Sequence, residues 1–301
     1  MLSTSLDSRL ARWAAARSNQ IADSPMVTRM IKTSVGPVRV FDSQSSNPCV
    51  VFVPDGPNVI EHYETLFAIL SQNLRIVCFD MPGFGFSLPE PSYGHSLEQG
   101  AKAVIGVLDA LEIEHATLAF SCANGFYALR AAQLAPDRIG SLFLSQTPSL
   151  EAMLAWANRV IPKILRVPIL GQTVGWLARH KAANAWYDIA LPQITDRVPY
   201  QRIAQRALMS GACFCLAGVA QGLAREPLDA LTKIDTPCAM IWGGKDWSHR
   251  HTRADSLRST IPNAAIIRFD DCGHFPDLEQ PQRYAELLLR HVLEYQANEK
   301  S

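Results

Sequence analysis

The chain has 301 residues, of which 48% are hydrophobic and 19% are charged, so we expect a packed fold and not a disordered chain. Its 28 basic and 28 acidic residues balance, which argues against partners such as nucleic acid or an anionic membrane surface. No run reaches the roughly 18 apolar residues of a membrane-spanning helix, so we predict no membrane span.

The first segment, residues 1–25, is predicted to contain an amphipathic helix that ends before Pro25. Its apolar residues Leu6, Leu10 and Trp13 recur at helical spacing. Charged residues interrupt them, which excludes the apolar core of a signal peptide. We expect this helix to pack on the body of the protein.

Strands then alternate with helices along the chain. Two short strands are predicted at 26–32 and 38–41. Continuous apolar runs, which are typical of strands buried on both faces, follow at 49–53, 75–79, 116–120, 139–145, 237–242 and 264–269. Helical patterns separate them at 61–71, 97–111, 123–135, 252–261 and 280–296. This alternation predicts an α/β fold with a mostly parallel central sheet flanked by helices.

One long interval, residues 149–233, contains no buried strand. Prolines and glycines break it into helical segments that are rich in tryptophan and tyrosine. Because long structureless loops are uncommon, we predict an inserted helical cap whose aromatic residues cover an apolar pocket. The core would then comprise residues 26–148 and 234–301.

The seven cysteines match no disulfide or metal-binding framework. The closest pair, Cys213 and Cys215, lacks a second Cys/His pair at zinc spacing, so burial in the core is the better interpretation. We therefore predict reduced thiols, a cytoplasmic location, and neither a metal nor another cofactor.

Polar motifs end several of the predicted strands. They are Val53-Pro54-Asp55-Gly56-Pro57-Asn58, Asp80-Met81-Pro82-Gly83-Phe84-Gly85-Phe86-Ser87, Ser121-Cys122-Ala123-Asn124-Gly125, Trp242-Gly243-Gly244-Lys245-Asp246 and Gly273-His274-Phe275-Pro276. In this order and at this spacing they resemble the α/β-hydrolase superfamily, in its branch with an inserted cap. The resemblance covers the chain from about residue 26.

The resemblance implies an α/β-hydrolase fold and a catalytic triad in the chain order nucleophile, acid, base. Residue by residue, these are Cys122, Asp246 and His274. The family normally has serine where this chain has Cys122. A thiol suits the arrangement, because an imidazolium and a helix N-terminus both favour the thiolate.

The neighbouring Ser121 is the alternative nucleophile. Ser121 has alanine two positions away on each side, as the tight turn of the family requires, whereas Cys122 has Phe120 and Asn124. The glycine that family members carry three residues past the nucleophile is found at Gly125 only when the count starts at Cys122. We therefore predict Cys122.

The oxyanion-binding region departs from the family pattern. The family's His-Gly-x run reads Asp55-Gly56-Pro57, and proline has no N–H to donate to an oxyanion. The N–H of Ala123 remains, and the N–H or side-chain amide of Asn58 is a candidate replacement. Asp55 is either a solvated turn residue or a polar group that faces the substrate.

These residues predict an enzyme that forms an acyl-cysteine intermediate from an ester, lactone or thioester, followed by hydrolysis, acyl transfer or ring closure. The partner would be a small molecule with an apolar acyl group, or a carrier-bound thioester. The alternative is a non-hydrolytic relative, either a lyase or isomerase that uses His274 or a protein that binds a hydrophobic ligand.

Other polar residues are expected to be structural. Ser87 is predicted to cap a turn. His62, His95, His249 and His251 are predicted to be exposed, and no third ligand can be named for a metal site at His249 and His251.

Overall fold

A computed structural model of the chain describes residues 2–17, 24 and 26–299. Its centre is an eight-stranded sheet in the order β1-β2-β4-β3-β5-β6-β7-β8. The strands are β1 (Thr28–Thr33), β2 (Gly36–Asp42), β3 (Cys49–Val53), β4 (Arg75–Phe79), β5 (Ala116–Phe120), β6 (Ile139–Ser145), β7 (Cys238–Gly243) and β8 (Ala265–Phe269). All pairings are parallel except the two that β2 makes, so the predicted strands and the mostly parallel sheet are confirmed.

The α-helices are α1 (Leu2–Ala15), α2 (Glu64–Leu70), α3 (Leu97–Ala110), α4 (Cys122–Leu134), α5 (Leu150–Val160), α6 (Leu170–Ala178), α7 (Ala182–Ala190), α8 (Val198–Ala207), α9 (Cys213–Leu223), α10 (Pro276–Glu279) and α11 (Pro281–Glu299). Helices α5 to α9 lie between β6 and β7 and are called the helical insertion below.

The core lies on both faces of the sheet. Strand β3 shows why, because Val51 and Val53 pack in one hydrophobic cluster while Val50 and Phe52 pack in the other. Side chains alternate between the two faces of a strand, so a strand covered on both sides must be apolar throughout. This explains the continuous apolar runs, and it places the carboxyl ends of the parallel strands along one edge of the sheet.

The stretch Val198–Leu223, which runs through α8 and α9, is long and apolar enough to cross a membrane by length and composition. The expectation that no segment is long and apolar enough was therefore wrong. In its most apolar window, 61% of the residues are buried inside the protein, as in the core helix of a folded domain. The stretch is therefore only weak evidence for a membrane.

Helix α1 packs against the junction of α8 and α9. Gly211 in that junction has a φ of 112°, and a Cβ there would lie 2.6 Å from the Cα of Ala11. Over residues 6–15, where burial is described, the buried residues of α1 are Asp7, Ser8, Ala11 and Ala14, whereas Trp13 is 44% exposed. The predicted apolar face was therefore partly wrong, because close helix packing here requires small residues. Helix α1 ends at Ala15 and thus before Pro25, as predicted.

The predicted helix over 252–261 was wrong. The segment forms only 3-10 turns over Ala254–Ser259. The hydroxyl of Ser256 donates to the carbonyl of Arg253 and accepts from the N–H of Ser149. Such side-chain bonds compete with the α-helical pattern.

Asp7 makes the stability of this packing depend on pH. Burial raises the pKa of Asp7 to about 7, although Gln172 and Arg225 oppose the shift. The unfolded chain ionises Asp7 near pH 4 and the folded protein near pH 7, so Asp7 lowers the free energy of unfolding as the pH rises between these values. Asparagine does not ionise, so Asp7→Asn should not lose this stability. We expect the free energy of unfolding of the variant, relative to that of the wild type, to increase by about 1 kcal/mol or more from pH 5 to pH 8.

Urea unfolding of both proteins at the two pH values measures this gain. Asp137→Asn, at an exposed position, is the control and should follow the wild type. An Asp7→Asn stability curve parallel to that of the wild type would show that Asp7 ionises freely in the folded protein.

Candidate active site

The turn that joins β5 to α4 presents Cys122 at its apex. Cys122 has a φ of 51°, in the left-handed region, whereas Ser121 is extended with φ −122° and ψ 148°. Residues with a side chain rarely adopt positive φ, and a strained strand-to-helix turn is the geometry at which an α/β-hydrolase fold exposes its nucleophile. The backbone therefore favours Cys122 over Ser121 as the nucleophile at the apex of the turn.

The two residues at 124 and 125 fix the turn after Cys122 against its neighbours. A Cβ at Gly125 would lie 2.2 Å from the hydroxyl oxygen of Thr147, so only glycine fits where α4 passes the end of β6. Thr147 in turn donates a hydrogen bond to the carbonyl of Cys122 at 3.2 Å. The Asn124 amide donates to the carbonyl of Pro54 at 3.0 Å. Asn124 thus ties the turn to the loop after β3.

Asp246 and His274 follow β7 and β8, and the parallel strands bring both to the edge where β5 ends. Asp246 Oδ2 lies 2.6 Å from His274 Nδ1. The amide of Gln146, which follows β6, donates to the same oxygen at 2.5 Å, and the Ser248 hydroxyl donates to Oδ1 at 2.7 Å. Burial opposes ionisation of Asp246, but His274 and the hydrogen bonds outweigh it and hold the pKa of Asp246 well below its usual range. Asp246 is therefore an ionised acceptor that fixes the imidazole.

Asp55 occupies the other side of the same imidazole. Its Oδ2 lies 3.1 Å from His274 Nε2, and both side chains are buried. The ligand atoms of Asp55, Cys122 and His274 all lie within 4.8 Å of one another. Because Asp55 is buried, it is not a solvated turn residue, which was one of the two interpretations left open by the sequence.

The three groups differ in their preferred protonation. Burial and the neighbouring Asp55 raise the pKa of the Cys122 thiol to about 11, although His274 and the Ala123 N–H oppose the shift. Burial likewise raises the pKa of Asp55, against the effect of His274. Burial lowers the pKa of His274, but Asp246 and the other neighbours outweigh it and raise the pKa well above its usual range. At neutral pH, Cys122 is therefore a thiol. His274 is an imidazolium, with one N–H directed at Asp246 and the other at Asp55.

The oxyanion-binding region has one fewer backbone donor than the family pattern. Pro57, joined to Gly56 by a cis peptide bond, has no N–H. The N–H of Asn58 donates to the carbonyl of Asp55 at 2.8 Å, so the predicted replacement through this N–H was wrong, whereas replacement through the side-chain amide stays a prediction. The Asn58 amide oxygen accepts from the Tyr187 hydroxyl at 2.5 Å, while its amide nitrogen has no partner among the described residues. Of these residues, Ala123 lines the cavity beside Cys122, whereas Pro57 and Asn58 do not.

A cavity of about 480 Å³ opens above Cys122. Asp55, Cys122 and Ala123 form its floor, and helices α5, α7 and α9 of the helical insertion supply its mostly apolar walls. The wall residues include Met153, Trp156, Val160, Trp186, Ile189, Leu216, Val219 and Leu223. The Trp186 ring also lies 5.1 Å from the His274 ring, edge to face.

Three of the four other predicted surface histidines are buried, so that prediction was wrong for His62, His95 and His249. His249 stacks on Trp156 with ring centroids 4.8 Å apart and lies 5.5 Å from the His274 ring. His249 follows Asp246 by three residues, and the turn between them folds it back under the cavity wall. Sequence analysis also missed Gln146, a polar residue directly after a buried strand, which is the available signal for it.

Among the residues that the structure describes, two sets of side chains could hold a metal ion by distance. The first is Asp55, Cys122 and His274, and the second is Asp246, His249 and His274. The second set contains His249 but not His251, so the structure does not bring together a metal site around the pair considered from the sequence. In both sets, His274 already makes a hydrogen bond to the carboxylate. The arrangement thus suits proton transfer between fixed partners.

Comparison with known proteins agrees with this architecture. A family model described as the alpha/beta hydrolase family matches residues 50–287. The 2-hydroxymuconate semialdehyde hydrolase of Pseudomonas sp. (strain CF600) is 30% identical over 281 residues, which cover 90% of this chain and 95% of that protein. The zearalenone hydrolase of Bionectria ochroleuca is 33% identical over 124 residues, which cover 40% of this chain and about half (47%) of that protein.

Solved structures share the fold. A membrane phospholipase A superposes with a TM-score of 0.72 at 17% identity, covering 98% of this chain and 93% of that chain. A "probable hydrolytic enzyme" of Pseudomonas aeruginosa PAO1 superposes with a TM-score of 0.70 at 17% identity, covering 90% of this chain and 95% of that chain. The chain therefore belongs to the α/β hydrolase family, and it has hydrolases among its relatives.

Proposed function

We propose that the protein is a hydrolase or acyltransferase that forms an acyl-cysteine intermediate on Cys122. One observation carries this proposal: Cys122 lies at a positive-φ apex on the floor of an apolar cavity, beside the His274–Asp246 pair. A nucleophile needs a proton-transfer group within reach, and that group needs a partner that fixes its orientation. His274 would transfer protons at Nε2 while Asp246 holds Nδ1.

The substrate class follows from the cavity. A volume of about 480 Å³ lies in the range of sites for small organic molecules. The walls offer apolar contacts, and the polar groups of the floor are concentrated at Asp55, Cys122 and Asn124. An ester, lactone or thioester with an apolar acyl group would place its carbonyl on this floor. The acyl group could arrive on a small molecule or on a carrier.

The helical insertion, residues 149–233, would act as a cap in this proposal. Its helices provide most of the cavity wall and would thereby limit the access of bulk water to the floor. Exclusion of water favours transfer of the acyl group to an alcohol, amine or thiol over hydrolysis. The seven free cysteines support a reducing, cytoplasmic setting for this chemistry.

A second candidate is proton-transfer chemistry without a covalent intermediate, as in a lyase or isomerase. The observation that favours it is the 3.1 Å contact between Asp55 and His274 Nε2, on the side of the ring that a nucleophile would use. A protein of this second type would leave Cys122 unmodified by any acyl substrate.

A panel of acyl substrates tests the proposal. We expect turnover of p-nitrophenyl esters to rise from acetyl to hexanoyl, because the cavity walls are apolar, and S-hexanoyl-N-acetylcysteamine to react as well. An ester of adipic acid, matched in length but with a terminal carboxylate, is the control and should react more slowly. Folded protein that turns over none of these substrates would contradict the proposal.

A further inference from the structure

Asp55 lies where the mechanism of a simple triad has no group. It lies at the start of the loop after β3, lines the floor of the cavity and contacts His274 Nε2 at 3.1 Å. Its carboxylate oxygen and the Cys122 sulfur belong to the same cluster of atoms within 4.8 Å. A carboxyl group in this position touches both the proposed nucleophile and the atom of His274 that transfers protons.

We propose that Asp55 is a second proton-transfer residue, which accepts the thiol proton of Cys122 and then donates a hydrogen bond to the carbonyl oxygen of the substrate. This inference rests on the acyl-cysteine function proposed above and names the group that replaces the donor absent at Pro57. A protonated carboxyl group donates one hydrogen bond, as a backbone N–H does.

The backbone of the loop after β3 supplies no hydrogen-bond donor for the carbonyl oxygen of the substrate, so Asp55 can take this role. Pro57 lacks an N–H, and the Asn58 N–H is already bonded to the carbonyl of Asp55. Ala123 is then the backbone donor left at the floor, and the loss of one oxyanion donor typically costs about 10²–10³ in rate. Burial, which raises the pKa of Asp55, makes its neutral, donating form accessible.

With Asp55 included, every proton that moves during acylation has a donor and an acceptor. Before reaction, His274 is protonated, Asp55 is ionised and Cys122 is a thiol. The thiol proton moves to Asp55, the sulfur attacks the carbonyl carbon, and the carbon–oxygen π pair moves onto oxygen. That oxygen accepts hydrogen bonds from Asp55 and the Ala123 N–H. When the oxyanion collapses, the bond to the leaving group breaks and His274 Nε2 gives the leaving oxygen its proton.

The second half returns every group to its starting state. Water or another nucleophile attacks the thioester carbon while His274 Nε2 takes its proton. The tetrahedral intermediate collapses, the carbon–sulfur bond breaks, and Asp55 returns its proton to the Cys122 sulfur. His274 is again protonated and Asp55 is again ionised, so no further reactant is required.

Other ionisable groups near Asp55 belong to several elements. His274 and Cys122 contact it, and further groups act on it or respond to its charge. These groups are Asp246, Asp277, Tyr63 and Tyr187. Among the neighbours, Asp277 is the matched control, because it is also buried and lies near the site but does not line the cavity.

The test compares Asp55→Asn with the wild type by two measurements that should move in opposite directions. Asparagine cannot accept the thiol proton, so acylation by p-nitrophenyl butyrate, followed as the first turnover, should slow by about 10²-fold or more. Removal of the Asp55 charge should favour the Cys122 thiolate, so alkylation of Cys122 by iodoacetamide at pH 8, followed by peptide mass mapping, should become faster. Asp277→Asn should change neither rate by more than about threefold.

An Asp55→Asn protein that acylates at the wild-type rate, or in which acylation and alkylation slow together, would overturn the inference. Buried Cys78 serves as an internal reporter and should stay unmodified, which separates thiolate formation from unfolding. If the asparagine variant does not fold, Asp55→Ala gives the same two readouts. Failure of the proposed function is a different result, since wild-type Cys122 would then carry no acyl group at all.

Discussion

Replacement of Cys122 by alanine should lower acyl turnover by about 10⁴-fold or more. The variant keeps the cavity, the Asp246–His274 pair and Asp55, but it lacks the atom that bonds to the acyl carbon. Removal of a nucleophile that acts together with its base costs nearly as much as removal of the whole catalytic unit. Steady-state assays with p-nitrophenyl hexanoate measure the loss.

Ser121→Ala is the matched control, because Ser121 is the neighbouring residue with its own hydroxyl and an extended backbone. We expect it to keep turnover within about tenfold of the wild type. The reverse result, with Ser121→Ala inactive and Cys122→Ala active, would assign the nucleophile to Ser121 and contradict the register inferred from Gly125.

Asp246→Asn should lower turnover by about 10⁴-fold while the protein remains folded. Asp246 is surrounded by donors: Oδ2 accepts from His274 Nδ1 and the Gln146 amide, and Oδ1 accepts from Ser248. An asparagine would set its own NH₂ against one of these donors and release the ring of His274 from its present orientation. The measurement is kcat at neutral pH together with a thermal unfolding curve.

Asp270→Asn, on the same edge of the sheet but in an exposed ion pair with Arg268, is the control for Asp246→Asn and should retain full activity. A kcat of Asp246→Asn within tenfold of the wild type would show that the imidazole does not need this carboxylate. The orienting role of Asp246 would then be wrong.

The positions of the parallel strands along the chain were predictable because a parallel strand that is covered on both faces is apolar throughout. Val50 to Val53 illustrate this, since consecutive residues enter opposite clusters of the core. The kink at Gly211 and the burial of Asp7 were not predictable. Both depend on how α1 approaches the helical insertion, which no local pattern encodes.

The candidate site was predictable in part, through residues fixed by local geometry. Gly125 identified the register of the turn, and a Cβ there would indeed meet Thr147. The contact between Asp55 and His274 joins residues 219 positions apart and depends on the packing of two loops. The sequence showed an unexplained aspartate at that position, but only the fold shows which group it faces.

The burial of His249 also depends on contacts with a distant part of the chain. A histidine on a loop after a strand is usually exposed, yet this one stacks on Trp156 beneath the cavity wall. Its position is set by Trp156 in α5, which lies 93 residues earlier in the chain. The exposure of a residue that lies between two segments depends on both of them, so the sequence around the residue alone does not predict it.

The most direct test of the acyl-cysteine proposal is the mass of the protein after a rapid acid quench from p-nitrophenyl hexanoate. The account predicts one added hexanoyl group, located on the peptide that contains Cys122, removed by hydroxylamine at neutral pH as a thioester is, and absent from Cys122→Ala. Turnover by wild-type protein whose Cys122 never carries an acyl group at any quench time, or an adduct that persists in Cys122→Ala, would contradict it.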